Sequence, residues 1–126
     1  MNSIKIDATH ETPKVHLDKE HGIFEMAGNS LPEDVGAFYN PILNWLDQYA
    51  EAPNEETIVN MAFEYYNTSS SKMIFKVLER FRDIHRKGHN VKVLWHYRDD
   101  DEDMVEAGED YAKNLKIPFE FITITA

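Results

Sequence analysis

Polarity alternates with a period of two across residues 14–18 (Lys-Val-His-Leu-Asp) and 23–27 (Ile-Phe-Glu-Met-Ala), on either side of Lys19-Glu20-His21-Gly22. Two alternating runs around a glycine-containing turn predict a β-hairpin, with Gly28-Asn29 ending its second strand. Ser30-Leu31-Pro32-Glu33 then has the Ser-x-x-Glu form of a capping box with proline in the first turn, and predicts a helix start. Val35, Phe38, Ile42, Trp45, Leu46 and Tyr49 recur at three- to four-residue steps and supply the buried stripe of that helix. Pro41 removes a backbone donor within the stripe, which calls for a kink or for a short turn ahead of a helix beginning at Asn40.

Residues 51–56 (EAPNEE) are a polar connection, and residues 57–66 (TIVNMAFEYY) are apolar enough on both faces to form a central strand. Short polar side chains follow at Asn67 to Ser71. Met73, Ile74, Val77, Leu78, Phe81 and Ile84 then trace one face of a helix ending near Gly88, with Arg86 and Lys87 in its last turn. Residues 91–97 (VKVLWHY) predict a strand, and residues 98–103 cap a third helix carrying Met104, Ala107, Tyr111 and Leu115. Residues 118–124 predict the last strand. The order β-β-α-β-α-β-α-β implies an antiparallel hairpin followed by parallel, right-handed crossovers. The expected fold is therefore α/β, a mixed five-stranded sheet covered by helices, with residues 1–126 forming one domain.

Composition narrows the functional classes. The chain has 126 residues, 23 acidic against 13 basic, and a net charge of -10. That charge argues against nucleic acid and anionic membranes as partners. With no cysteine, thiolate catalysis, disulfides and cysteine-based zinc sites are excluded. Residues 1–15 contain no apolar core of a signal peptide and no window approaches a membrane span, so a cytoplasmic location is expected. Charge is also unevenly spread: residues 72–92 hold seven basic and two acidic side chains, whereas residues 99–110 hold eight acidic ones and no basic one. Two readings are open, solvated helix faces or a bipolar docking surface.

The segment richest in chemistry is Asn67-Thr68-Ser69-Ser70-Ser71-Lys72, where a central strand hands over to a helix. One Asn, Ser or Thr suffices for an N-cap, and four consecutive hydroxyls exceed that need. Backbone donors at a helix start stabilise a dianionic phosphate, which makes a hydroxyl here a phosphorylation candidate. The run has neither the glycine-lysine pattern of a nucleotide-binding loop nor the Gly-x-Ser-x-Gly of a hydrolase elbow. His85 and His89 share helical spacing, but Gly88 lies between them. The run 99–103 lacks the glycine and the terminal glutamate of a calcium loop. No metal or cofactor is expected. A small hydrolase using one of Ser69, Ser70 or Ser71 requires a histidine brought within hydrogen-bond reach.

Residues 65–72 (Tyr-Tyr-Asn-Thr-Ser-Ser-Ser-Lys) closely resemble the signature of the SiaC family of bacterial regulatory phosphoproteins. Thr12-Pro13, the block 28–33, Phe38-Tyr39-Asn40-Pro41, Trp45-Leu46, Trp95-His96-Tyr97, Asp103-Met104 and Gly108-Glu109 follow in that family's order. The resemblance implies a fold similar to STAS domains, the anti-sigma-factor antagonists, and a non-enzymatic partner-switching role. A histidine-kinase-like serine/threonine kinase phosphorylates such a protein, a PP2C-type phosphatase reverses this, and the unphosphorylated form binds and activates an effector, a diguanylate cyclase. Residue by residue, the resemblance places the phosphoacceptor on Thr68, with Asn67, Ser69, Ser70, Ser71 and Lys72 as its surroundings and docking contacts. Aligning Asn67 with the aspartate of the antagonists' Asp-Ser-Ser-Gly selects Ser69 instead. The rival outputs are a STAS antagonist sequestering an anti-sigma kinase and the small serine hydrolase.

Overall fold

Alternation across the hairpin survives as cross-strand pairing: Val15 lies opposite Met26 and Leu17 opposite Phe24, all four buried. The structure, a computed structural model, describes residues 1–125. Its elements are β1 (Ile4–Ile6), β2 (Lys14–Asp18), β3 (Ile23–Ser30), α1 (Val35–Tyr49), β4 (Glu56–Tyr66), α2 (Thr68–Arg86), β5 (Asn90–Arg98), α3 (Glu102–Leu115) and β6 (Phe119–Ile124). The strands form one sheet in sequential order, antiparallel from β1 to β3 and parallel from β3 to β6.

The mixed α/β class and element order agree with the sequence reading, and the strand count is six rather than five. The additional strand is Ile4-Lys5-Ile6, three residues too short to register as a periodic run. Equal right-handed crossovers between sequential parallel strands bring all three helices to one face, so the sheet is covered on one side only. Burial follows that rule in β4, where Thr57, Val59, Met61 and Phe63 are buried and Ile58, Asn60, Ala62 and Glu64 are not. Among the described residues no helix is long and apolar enough to cross a membrane.

The helix start read at Ser30 is corrected. Ser30 is the last residue of β3, and the N-cap of α1 is Asp34, whose carboxylate accepts from the Ala37 N–H at 3.0 Å. The β3–β4 register explains why. It shifts between Gly28 and Asn29, where Gly28 has a φ of +109°, a conformation that side chains with a Cβ rarely adopt. Pairing then continues to Asn29–Tyr65 and Ser30–Tyr66, and this longer strand outcompetes the local capping signal. α1 runs unbroken through Pro41, which lies on the exposed side and costs one internal hydrogen bond.

At the hairpin turn, His21 Nδ1 lies 2.8 Å from the Asp18 carboxylate. Hydrogen bonds from His21, backbone first, hold Asp18 below its ordinary value, and the Asp18 carboxylate raises His21. The Asp18 contribution is present above the usual carboxylate range and is lost as pH falls through its lowered value. The His21 contribution is present below pH 6.5 and is lost as pH rises through the raised value. Proton NMR titration is expected to place His21 above 6.5 and to return it toward that value in Asp18→Asn. An identical His21 titration in both proteins rules out the pairing.

Candidate functional site

The polar run 67–72 occupies the carboxyl end of β4 and the first turn of α2, and the structure assigns different work to its members. Asn67 is the N-cap: its Oδ1 accepts from the Ser70 N–H at 2.9 Å. Ser71 Oγ donates back to the Thr68 carbonyl at 2.8 Å. Ser70 is fully buried. Thr68 and Ser69, the first two helical residues, are exposed, and among the described residues their side chains make no hydrogen bond. Lys72 is exposed one turn later. Capping and packing thus use up Asn67, Ser70 and Ser71, and leave two hydroxyls free at the positive end of a 19-residue helix.

Two tyrosines hold this turn from opposite sides. Ser30 Oγ donates to Ser70 Oγ at 2.8 Å and lies 2.6 Å from the Tyr39 hydroxyl. A serine has one hydroxyl proton, so Tyr39 donates to Ser30 and the chain runs Tyr39 to Ser30 to Ser70. The Asn67 N–H also donates to the Ser30 carbonyl, at 3.1 Å. On the other side the Tyr111 hydroxyl of α3 donates to the Ser71 carbonyl at 3.0 Å. Burial pushes Tyr39 up to about 12 and also raises Tyr111, so both donors are neutral at physiological pH. The turn carrying the free hydroxyls is therefore braced by β3, α1 and α3 together.

Sequence reasoning missed Ser30, Tyr39 and Tyr111 as supports. Ser30 carried a local signal for another role, Tyr39 stood outside the helix stripe and entered only with the block 38–41, and Tyr111 sat in an apolar stripe that predicts core and nothing more. Ser30→Ala leaves the Tyr39 and Ser70 hydroxyls without their buried partner and is expected to cost about 1–3 kcal/mol in urea unfolding. Tyr39→Phe in that background removes the orphaned donor and should recover part of the loss. Unfolding midpoints equal to wild type for Ser30→Ala would show that the chain does not brace the turn.

A cleft of about 350 Å³ adjoins the site, lined by Glu64, Tyr65, Tyr66, Asp101, Asp103 and Met104 among others. The register irregularity in β4 turns Tyr66 inward, against Phe63 at 5.7 Å between ring centres, and leaves Tyr65 exposed beside the hydroxyls. The histidine contact that a serine hydrolase needs is not among the described hydrogen bonds of Ser69, Ser70 or Ser71. His21 instead pairs with Asp18, and His96 Nε2 lies 2.9 Å from Asn60 Oδ1.

The site is thus a mixed α/β domain's exposed hydroxyl pair on a helix start braced by β3, α1 and α3. The chain belongs to the SiaC family of regulatory phosphoproteins, whose family profile it matches over residues 6–124. It is 26% identical over 119 residues to an uncharacterized protein of Pseudomonas aeruginosa, covering 94% of each chain. The crystal structure of apo-SiaC from Pseudomonas aeruginosa is similar with a TM-score of 0.86 and 26% identity, over 97% of this chain and 99% of that one. A structure of the diguanylate cyclase SiaD in complex with its activator SiaC, from the same organism, contains a chain similar at a TM-score of 0.88. Identity to that chain is 25%, over 96% of this chain and 99% of that one. The family resemblance carried by residues 65–72 is borne out.

Proposed function

We propose that this chain is a non-enzymatic cytoplasmic phospho-switch whose unphosphorylated form binds and activates a diguanylate cyclase. The acceptor is Thr68, with Ser69 as the alternative hydroxyl. A histidine-kinase-like serine/threonine kinase attaches the phosphoryl group and a PP2C-type phosphatase removes it. The observation that carries this reading is the freedom of Thr68, an exposed hydroxyl at the first helical residue with capping already done by Asn67. The complex of the relative SiaC with SiaD supports the choice of effector. In phosphoryl transfer the kinase supplies the base and the metal ions, so the acceptor protein needs only to present its oxygen.

Phosphorylation adds about -1.5 to -2 charges at a helix N-terminus, where backbone donors and dipole favour it, so the fold persists. A partner covering that turn must desolvate the dianion, and binding weakens. The test is intact-mass analysis of protein from its own host with and without phosphatase, followed by peptide mapping and titration of both forms with the host's diguanylate cyclase. One phosphoryl group on Thr68 and weaker binding of the modified form are expected. Phosphate on Ser69 alone moves the acceptor, and no phosphate within residues 67–71 overturns the switch.

A further inference from the structure

Beyond the hydroxyl turn, the same face of α2 continues as Lys72, Phe75, Lys76 and Glu79, at steps of four, seven, eight and eleven residues from Thr68. With Ser71 and Tyr111 these residues line a groove of about 560 Å³ between α2 and α3. Its floor is aromatic: Phe75 is half-buried and its ring centre lies 6.4 Å from that of Tyr111. Its rim is cationic. Glu79 is engaged by Arg82 at 3.7 Å, whereas Lys72 and Lys76 form no ion pair among the described residues. The other engaged cations of this stretch are spent elsewhere, Arg80 on Asp47 and Lys92 on Glu120. In a chain of net charge -10, a groove edged by two unpaired lysines is a local inversion of sign.

We propose that this groove receives an amphipathic acidic helix of the protein partner, its apolar side against Phe75 and Tyr111 and its carboxylates against Lys72 and Lys76. The proposal rests on the reading that this chain binds a protein partner beside Thr68, and it names the chemistry of that partner. Helix-in-groove recognition needs apolar anchors at helical spacing, and complementary rim charge fixes orientation and association rate. The groove also explains the sign of the switch. A phosphate on Thr68 stands one turn N-terminal to Lys72, the favourable order for an i, i+4 ion pair. It would draw Lys72 away from the partner and repel the partner's carboxylates along the same face. A basic or neutral segment would feel no such exclusion.

Two synthetic helical peptides with one shared Leu/Phe face test the proposal, one with glutamates on its polar face and one with lysines. Each is titrated into the ¹⁵N-labelled full chain. The acidic peptide is expected to shift amides of residues 71–79 and of Tyr111, with an affinity falling at least about ten-fold in Lys72→Glu/Lys76→Glu. Arg86→Glu/Lys87→Glu, two turns or more beyond the groove, should change that affinity by less than about two-fold. Equal binding of the basic peptide, shifts elsewhere, or insensitivity to Lys72→Glu/Lys76→Glu overturns the assignment. The same variants are then titrated with the host's diguanylate cyclase. Cyclase binding unaffected by Lys72→Glu/Lys76→Glu keeps the switch and removes the groove as its docking site. Acidic-peptide binding in the groove with no cyclase binding by wild type keeps the groove and removes the cyclase.

Discussion

Thr68→Ala is expected to bind the cyclase as tightly as the unphosphorylated protein and to resist the kinase, while Thr68→Asp binds at least about ten-fold more weakly. Both should stay folded. Asn67 does the capping, so alanine at Thr68 removes no structural hydrogen bond and should alter stability by within about 0.5 kcal/mol. Aspartate at the first helical position adds a charge that the helix dipole favours by about 0.3–1 kcal/mol. Stability and binding therefore move in opposite directions across the two variants, a pattern no purely structural role produces. Asn67→Ala is the internal control: loss of the cap should cost about 0.5–2 kcal/mol and weaken binding only as far as the turn frays. Thermal melts and calorimetry on all three proteins decide the matter, and an affinity order that simply tracks melting temperature refutes the switch.

Trp95→Ala should give the largest loss of stability, about 3–5 kcal/mol, a large share of the roughly 5–15 kcal/mol that holds a domain together. The indole is 1% exposed at the centre of β5 and meets Tyr111, Phe119 and Phe63 at centroid distances of 5.6, 6.1 and 6.4 Å. Its Nε1 donates to the Met104 carbonyl at 2.9 Å, fixing the ring against α3. The same contact explains a glycine in the middle of that helix. A Cβ at Gly108 would lie 2.6 Å from Cδ1 and Nε1 of Trp95 and 2.8 Å from Cε1 of Phe121. The indole cannot yield without breaking its hydrogen bond. Gly108→Ala should therefore cost about 1–3 kcal/mol in overpacking, more than the roughly 1 kcal/mol it gains in helix propensity. In a Trp95→Phe background the penalty should shrink, because the smaller ring vacates the space. A cycle in which the two changes add independently would show that Trp95 is not the obstacle.

The helices and central strands were legible because their signals are local and repeated. α2 shows this best: Ile74, Val77, Leu78, Phe81 and Ile84 step along one face and are all buried. Single-residue cues were weaker. The Ser-x-x-Glu at Ser30 satisfied a capping pattern, yet pairing with Tyr66 after the shift at Gly28/Asn29 kept Ser30 in the sheet. A local cap contributes about 1 kcal/mol, and continued strand pairing plus burial of the hydroxyl in a hydrogen-bonded chain outweighs it. β1 was invisible for the opposite reason, since three residues carry too little periodicity to stand out before β2 supplies a partner.

By itself the sequence determined the α/β order, the helix stripes, the family and the run of hydroxyls at the start of α2, because each is written in residue type and spacing along one segment. Only the tertiary structure decided how the hydroxyls of that turn divide their work. Ser70 is withdrawn by Ser30 and Tyr39, forty and thirty-one positions away, and Ser71 is gripped through its carbonyl by Tyr111. Thr68 and Ser69 face solvent, and among the described residues no hydrogen bond engages their side chains. Four adjacent hydroxyls look alike to the chain; burial and hydrogen bonding tell them apart, and both depend on groups that only folding brings together.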